Sequence, residues 1–342
     1  MPGIAVLILV LVLAAPAAAD TRPPRWQPVP TGSTQQFRGL DAENHRTAWV
    51  GGSAGEVLRT TDGGATWSNV SPPGVGGLLF RDVEAQGAHR ASVLSIGTGN
   101  ASRIYTTFDG GRTWKLAFVN DDPRAFYDCM AFYAGGKRGL ALSDPVDGKF
   151  RIAATDDWGR SWRVLPNTGM PPAVANEFAF AASGTCLVTS GRDAWFASGG
   201  GAARVFHSRD GGLSWDVTAA PIPATPAGGV FSLAFRNPRV GIMVGGDFTA
   251  PANGVDASGF TRDGGASWTP GGDLSGYRSG VDWVTFSWAT AIAVGPTGSD
   301  VSYDGGRSWR AFDGAHYDAV DCEPFTCWAS GPAGAVARLD RY

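Results

Sequence analysis

Six aspartates in this 342-residue chain stand in nearly the same company. Asp62, Asp109, Asp157, Asp210, Asp263 and Asp304 each lie two residues after a Ser or Thr. Five residues after each comes a tryptophan: Trp67, Trp114, Trp162, Trp215, Trp268 and Trp309. A carboxylate repeated in this way could be a catalytic group, a calcium ligand or the hub of a turn. Calcium requires several oxygen ligands at alternating positions ending in a bidentate carboxylate. Each copy offers one Asp, or two at Asp156 and Asp157, so no metal is expected. A turn fits better: the Asp accepts backbone N–H bonds, the glycines between Asp and Trp allow positive φ, and the flanking hydroxyls bond locally. The Trp then opens the next strand and can cover a neighbouring sheet.

A quieter set of residues has chemistry of another kind. FRGL (37–40), FRDV (80–83), FYDC (126–129), NEFAF (176–180), VFSLAF (230–235), YRSGV (277–281) and HYDAV (316–320) each begin an extended run. They place Arg38, Arg81, Arg278, Asp82, Tyr127, Asp128, Glu177 and Asp318 at strand starts, with Asp144 and Asp247 on loops nearby. Three arginines in one funnel suit a carboxylate, an anionic sugar or a peptide terminus. The plainer alternative is that these arginines and aspartates pair with one another to line a water-filled channel. Other signals are weak. Gly51-Gly52-Ser53-Ala54-Gly55 matches a nucleophile-elbow pattern, but no strand–turn–helix surrounds it. The four histidines lack zinc spacing, and the glycine run at 199–201 lacks a dinucleotide-binding context. No cofactor is expected.

The elements that must hold these residues are strands. The chain has 49 Gly and 13 Trp and no sustained helical periodicity. The boxes recur at a period in the forties to fifties, which predicts an all-β, seven-bladed β-propeller of four-stranded blades. Each box falls between the third and fourth strands of a blade. Beyond the sixth box, HYDAVDCE, FTCWASGP and AVARLDRY supply three strands of a seventh blade. The run Trp26–Pro30 is expected to add the fourth, closing the ring with no exposed strand edges. The boxes and the strand starts then lie on opposite faces. Residues 1–19 read as a secretory signal peptide, and residues 20–342 as a single propeller, periplasmic or secreted and monomeric. No later run is long and apolar enough to span a membrane. With 17% charged residues and a net charge of −3, nucleic acid is not an expected partner. In an oxidising compartment Cys322 and Cys327, flanking EPFT, can form a cross-hairpin disulfide, whereas Cys129 and Cys186 read as core.

The box resembles the Asp-box, or bacterial neuraminidase, repeat, and its six copies cover nearly all of the chain beyond residue 19. Sialidases that carry it are six-bladed, with an arginine triad, a Tyr–Glu nucleophile pair and an acid Asp. Here Phe37-Arg38 keeps only the beginning of their F/Y-R-I-P motif. A glycoside hydrolase working through Glu177, Asp128 or Asp318 is the alternative reading. The closer resemblance is to the seven-bladed photosystem II stability/assembly factor family and its non-photosynthetic bacterial relatives. It is carried by FRGL, TAWVGGSAGEVLRTTDGGATW, ALSDPVDGKF and GVFSLAFRNPRVGIMVGGD. That resemblance implies a non-catalytic scaffold that binds a membrane or periplasmic protein through arginines.

Overall fold

The computed structural model describes residues 24–285 and 287–339, so the signal peptide read at 1–19 lies outside the described residues. These residues form seven antiparallel blades around one axis. The innermost strands are Phe37–Ala42, Leu79–Gln86, Tyr127–Phe132, Leu187–Ser190, Gly228–Asn237, Gly280–Trp283 and Ala319–Glu323. The seventh blade takes its outer strand from the other end of the chain: Gln27 pairs with Arg338 and Pro28 with Ala337. Trp26 anchors that strand, its indole N–H donating to Ser299 Oγ at 2.9 Å. Val29 lies against the first box, where Gly64 has φ +85° and a Cβ would meet the valine at 2.2 Å. Any larger residue at Gly64 would therefore force the Val29 side chain to shift.

Core packing is divided among the blade interfaces. Seven apolar clusters each span two neighbouring blades, as with Trp49 and Tyr105 between the first and second, or Phe150 and Phe206 between the third and fourth. Box tryptophans contribute to this seam. Trp114 meets Trp49 edge to face at 6.4 Å, and Trp67 meets Trp328 at 6.2 Å. The box hydrogen bonds are those expected of a turn. In the first copy Asp62 accepts from the Thr66 N–H (2.9 Å), the Thr66 hydroxyl (2.6 Å) and the Thr60 hydroxyl (2.8 Å). The Thr60 oxygen in turn accepts from the Gly64 N–H at 2.9 Å. The pattern returns at Asp109, Asp157, Asp210, Asp263 and Asp304. These bonds favour the charged carboxylate, so Asp62, Asp109 and Asp263 are drawn down to about 2.

Two expectations need correction. Residues 176–180 do not begin the fourth blade. Its inner strand is Leu187–Ser190, while Glu177–Phe178 pairs with Gly199–Gly200 and joins the sheet of the fifth blade. The chain between the third box and the fourth blade is long enough to form a strap that crosses above the ring axis before the inner strand begins. Cys129 and Cys186 are buried as expected but are bonded to each other, with Cα atoms 6.1 Å apart. The bridge ties the inner strand of the third blade to the end of the strap, across a separation that gives no local sequence signal. Cys322 and Cys327 face each other in their hairpin and are also bridged. Among the described residues, no helix is long and apolar enough to cross a membrane.

Candidate functional site

Four inner strands begin with a fault in their pairing to the second strand, and each fault leaves one residue extra. Pairing passes from Phe37 to Gly39, from Phe80 to Asp82, from Tyr127 to Cys129 and from Val230 to Ser232. The residues passed over are Arg38, Arg81, Asp128 and Phe231. In the seventh blade Asp318 donates its N–H to Ser330, the residue that pairs with Ala319, and so occupies a similar place. A regular strand sends alternate side chains to opposite faces; a bulge re-aims one of them. All five re-aimed side chains line a single cavity of about 550 Å³ on the face of the strand starts, away from the boxes.

The strap forms the other wall. Phe178, Phe180, Ala181 and Ala182 line the cavity with Phe231, Phe248 and Tyr277. Phe180 stacks on Phe231 with centroids 3.7 Å apart, and Tyr277 meets Phe231 edge to face at 4.7 Å. The arginines hold the strap from below. Arg81 donates to the Ala181 carbonyl at 2.9 Å and Arg38 to the Ala182 carbonyl at 3.5 Å. Arg38 also stands 3.5 Å from Asp318, which accepts from Gln36 at 2.9 Å and pairs with His316 at 3.3 Å. Burial works to raise the Asp318 carboxyl, but the His316 bond and the Arg38 charge bring it below its ordinary value. Burial lowers the Arg81 guanidinium to about 10, and the nearby Arg38 charge pushes the same way. Arg38 Nε is buried and has no hydrogen-bond partner among the described residues.

Of the residues singled out in the sequence, Arg38, Arg81, Asp128, Asp144 and Asp318 meet in this cavity, and the others do not. Arg278 is 0% exposed, with Nε 2.7 Å from Asp300 and further bonds to Thr297 and Ser275. The YRSG motif is displaced by one residue relative to FRGL: Tyr277 faces the cavity and Arg278 falls on the blade interior. FYDC is displaced likewise, so Tyr127 is buried against Phe118 and Asp128, not Tyr127, is re-aimed. Asp82 points to the next blade and accepts the Met130 N–H at 2.5 Å. Glu177 is sealed against Arg204 and accepts the Ser198 hydroxyl at 2.6 Å. Asp247 caps its own turn, accepting from the Thr225 and Thr249 hydroxyls. Phe178, Phe180 and Phe231 of the aromatic wall were visible only as letters inside NEFAF and VFSLAF. A motif reading aligned on polar residues has no reason to set Phe231 beside Arg38 and Arg81.

No protein-family pattern matches the chain, and no curated protein matches it. Solved structures do. A structure of YCF48 bound to a D1 peptide superposes with a TM-score of 0.65 at 17% identity, covering 96% of this chain and 100% of that one. YCF48 from Cyanidioschyzon merolae gives a TM-score of 0.62, again at 17% identity, over 92% of this chain and 98% of that one. The Neurospora crassa Pan2 WD40 domain gives 0.64 at 12% identity, covering 96% and 98%. The fold of this chain is therefore the seven-bladed propeller that these proteins share.

Proposed function

We propose that the chain is an exported, non-catalytic scaffold that holds a segment of another protein, one resident in the membrane or periplasm, in the bulge-lined cavity. The observation that carries this reading is the convergence of re-aimed side chains from separate blades on one aromatic-walled cavity of peptide-accommodating size. Arg38 supports it with a buried N–H that points at no protein acceptor. The structure of YCF48 with a D1 peptide is a precedent for a propeller of this shape receiving a peptide. The aromatic wall supplies apolar burial, and the Arg38 and Arg81 guanidinium groups supply donors for carbonyls or a carboxylate.

A photo-crosslinking residue tests this in the native host. Phe248 is 51% exposed at the cavity, and Leu213 is 51% exposed on the box face. Crosslinker at Phe248 should give one defined adduct with an envelope protein, and crosslinker at Leu213 should not. Arg38→Ala with Arg81→Ala should abolish the adduct. Equal adducts from both faces, or an adduct indifferent to the arginines, would overturn the assignment.

A further inference from the structure

Resting on the protein-binding reading above, we propose that the floor of the cavity is a receptor for an ammonium group of the bound segment, with Asp128 as its anchor. Asp128 is the extra residue of the bulge in the third blade and is only 1% exposed. Asp128 lines the cavity, and its Oδ2 is buried with no hydrogen-bond partner among the described residues. A buried carboxylate oxygen without a donor is costly, and the cost disappears when a donor arrives with a ligand. Asp144 lines the same cavity, with one oxygen accepting the Ala179 N–H of the strap at 2.8 Å.

A charged donor meets a carboxylate more strongly than a neutral one does. The other charged or titratable groups lining the cavity are Arg38, Arg81, Tyr277, His316 and Asp318. Arg38 stands against Asp318 and Arg81 donates to the strap carbonyl, and each keeps further N–H groups for the bound segment. No cationic side chain is bonded to Asp128 or Asp144 among the described residues. Burial raises both carboxyls, Asp144 to about 7, and the Asp144 charge raises Asp128 further. Burial thus favours the neutral form of both carboxyls, and an ammonium beside them would favour the charged form. Arrival of the cation favours ionisation of Asp128, the carboxyl that burial and the Asp144 charge both push up, and its proton leaves for solvent. Phe178, Phe180 and Phe231 offer faces and edges for the apolar stem that carries the ammonium.

Either a lysine side chain or a free amino terminus could supply this group, and four small probes separate the sources. Calorimetry would compare Ac-Phe-Lys-amide, Phe-Ala-amide with a free terminus, Ac-Phe-Ala-amide with neither, and 3-phenylpropionate. Binding would be measured near pH 7.5 in phosphate and in Tris, so that proton release shows as a buffer-dependent enthalpy. The expected result is that one of the two ammonium probes binds at least about tenfold more tightly than Ac-Phe-Ala-amide. It should release a proton, and Asp128→Asn should remove both the preference and the release. This substitution keeps the shape and replaces a carboxyl already biased to its neutral form, so folding should survive; Asp144→Asn is the second variant and should weaken binding less. Equal binding of the uncharged probe, stronger binding of phenylpropionate, indifference to Asp128→Asn, or no binding by any probe would each overturn the ammonium assignment. None of these would remove a Phe248 adduct, so the two readings can fail separately.

Discussion

Removing the two disulfides should cost unequal amounts, and the inequality follows from where each sits. Cys129 and Cys186 are 57 residues apart and Cys322 and Cys327 are 5 apart. In the chain-entropy account a cross-link withholds from the unfolded chain about 2.1 + 1.5R ln n cal/mol/K, with n the residues enclosed. At 25 °C this gives about 4 kcal/mol for Cys129–Cys186 and about 2 kcal/mol for Cys322–Cys327. Geometry widens the gap. The short bridge spans two strands already paired in register, from Ala319↔Ser330 to Glu323↔Thr326. The long bridge fixes the end of the strap, a segment with only a two-residue pairing to Gly199–Gly200 and side-chain contacts such as those of Arg38, Arg81 and Asp144. The comparison is Cys129→Ala/Cys186→Ala against Cys322→Ala/Cys327→Ala, in urea unfolding followed by tryptophan fluorescence. Midpoint and slope are read together so that a change in cooperativity is not mistaken for one in stability. Loss of the long bridge should also open the strap to proteases near Val174, which is exposed. Equal losses from the two pairs, or a greater loss from the hairpin pair, would refute the reasoning.

Two further outcomes are expected. Burial raises Asp82, Asp282 and Glu323 to about 8 and Asp321 to about 6, so the folded chain holds protons that the unfolded chain releases above about 4. Stability therefore falls as pH rises through that window, while the depressed box aspartates withdraw their contribution only as pH falls from about 4 towards 2. The Tm should be higher at pH 5 than at pH 8; a Tm that climbs towards pH 8 would contradict this. Arg278→Met should destabilise by about 3–5 kcal/mol, because Asp300 is left buried and unpaired, and adding Asp300→Leu should recover most of the loss. If the single substitution is neutral in thermal unfolding, the pair is not holding the blade.

The ring and its closure were legible because they rest on repetition. Six turns of fixed chemistry mark six of the seven blades, and Trp26 with its short extended run matches the tryptophan and strand that come after each turn. The cavity was half legible. FRGL and FRDV place Arg38 and Arg81 correctly because both motifs start on the interior aromatic, Phe37 or Phe80. FYDC and YRSG start one residue earlier with respect to the bulge, so the same motif reading sends Tyr127 and Arg278 to the wrong place. Register faults of one residue leave no mark in a period-two pattern. The strap was not legible either, since NEFAF reads as a plausible inner strand and its partner strand is only Gly199–Gly200.

Why a chain with so few charges commits so many carboxylates to its centre is explained by the geometry of the innermost strands. Closing the ring removes the outer seam, but every inner strand keeps one edge facing the axis, with N–H groups that its own sheet cannot use. The carboxylates of the preceding blade take them. Asp321 accepts from Ala42 at 2.6 Å, Asp41 from Ala85 at 2.7 Å, Glu84 from Phe132 at 3.1 Å and Asp282 from Cys322 at 2.8 Å. Between the fifth and sixth blades Ser232 does the same for Val281 at 3.0 Å. Each such bond latches one blade to the next, which is why Asp82, read from sequence as a mouth residue, belongs to the scaffold. This sets a criterion for separating structure from site among the central acids. A carboxylate that receives a neighbouring blade's N–H is already employed, however buried and perturbed it is. Asp128 belongs to the same ring of inner strands, yet the bulge turns it out of latching position to line the cavity, and its buried Oδ2 has no donor among the described residues.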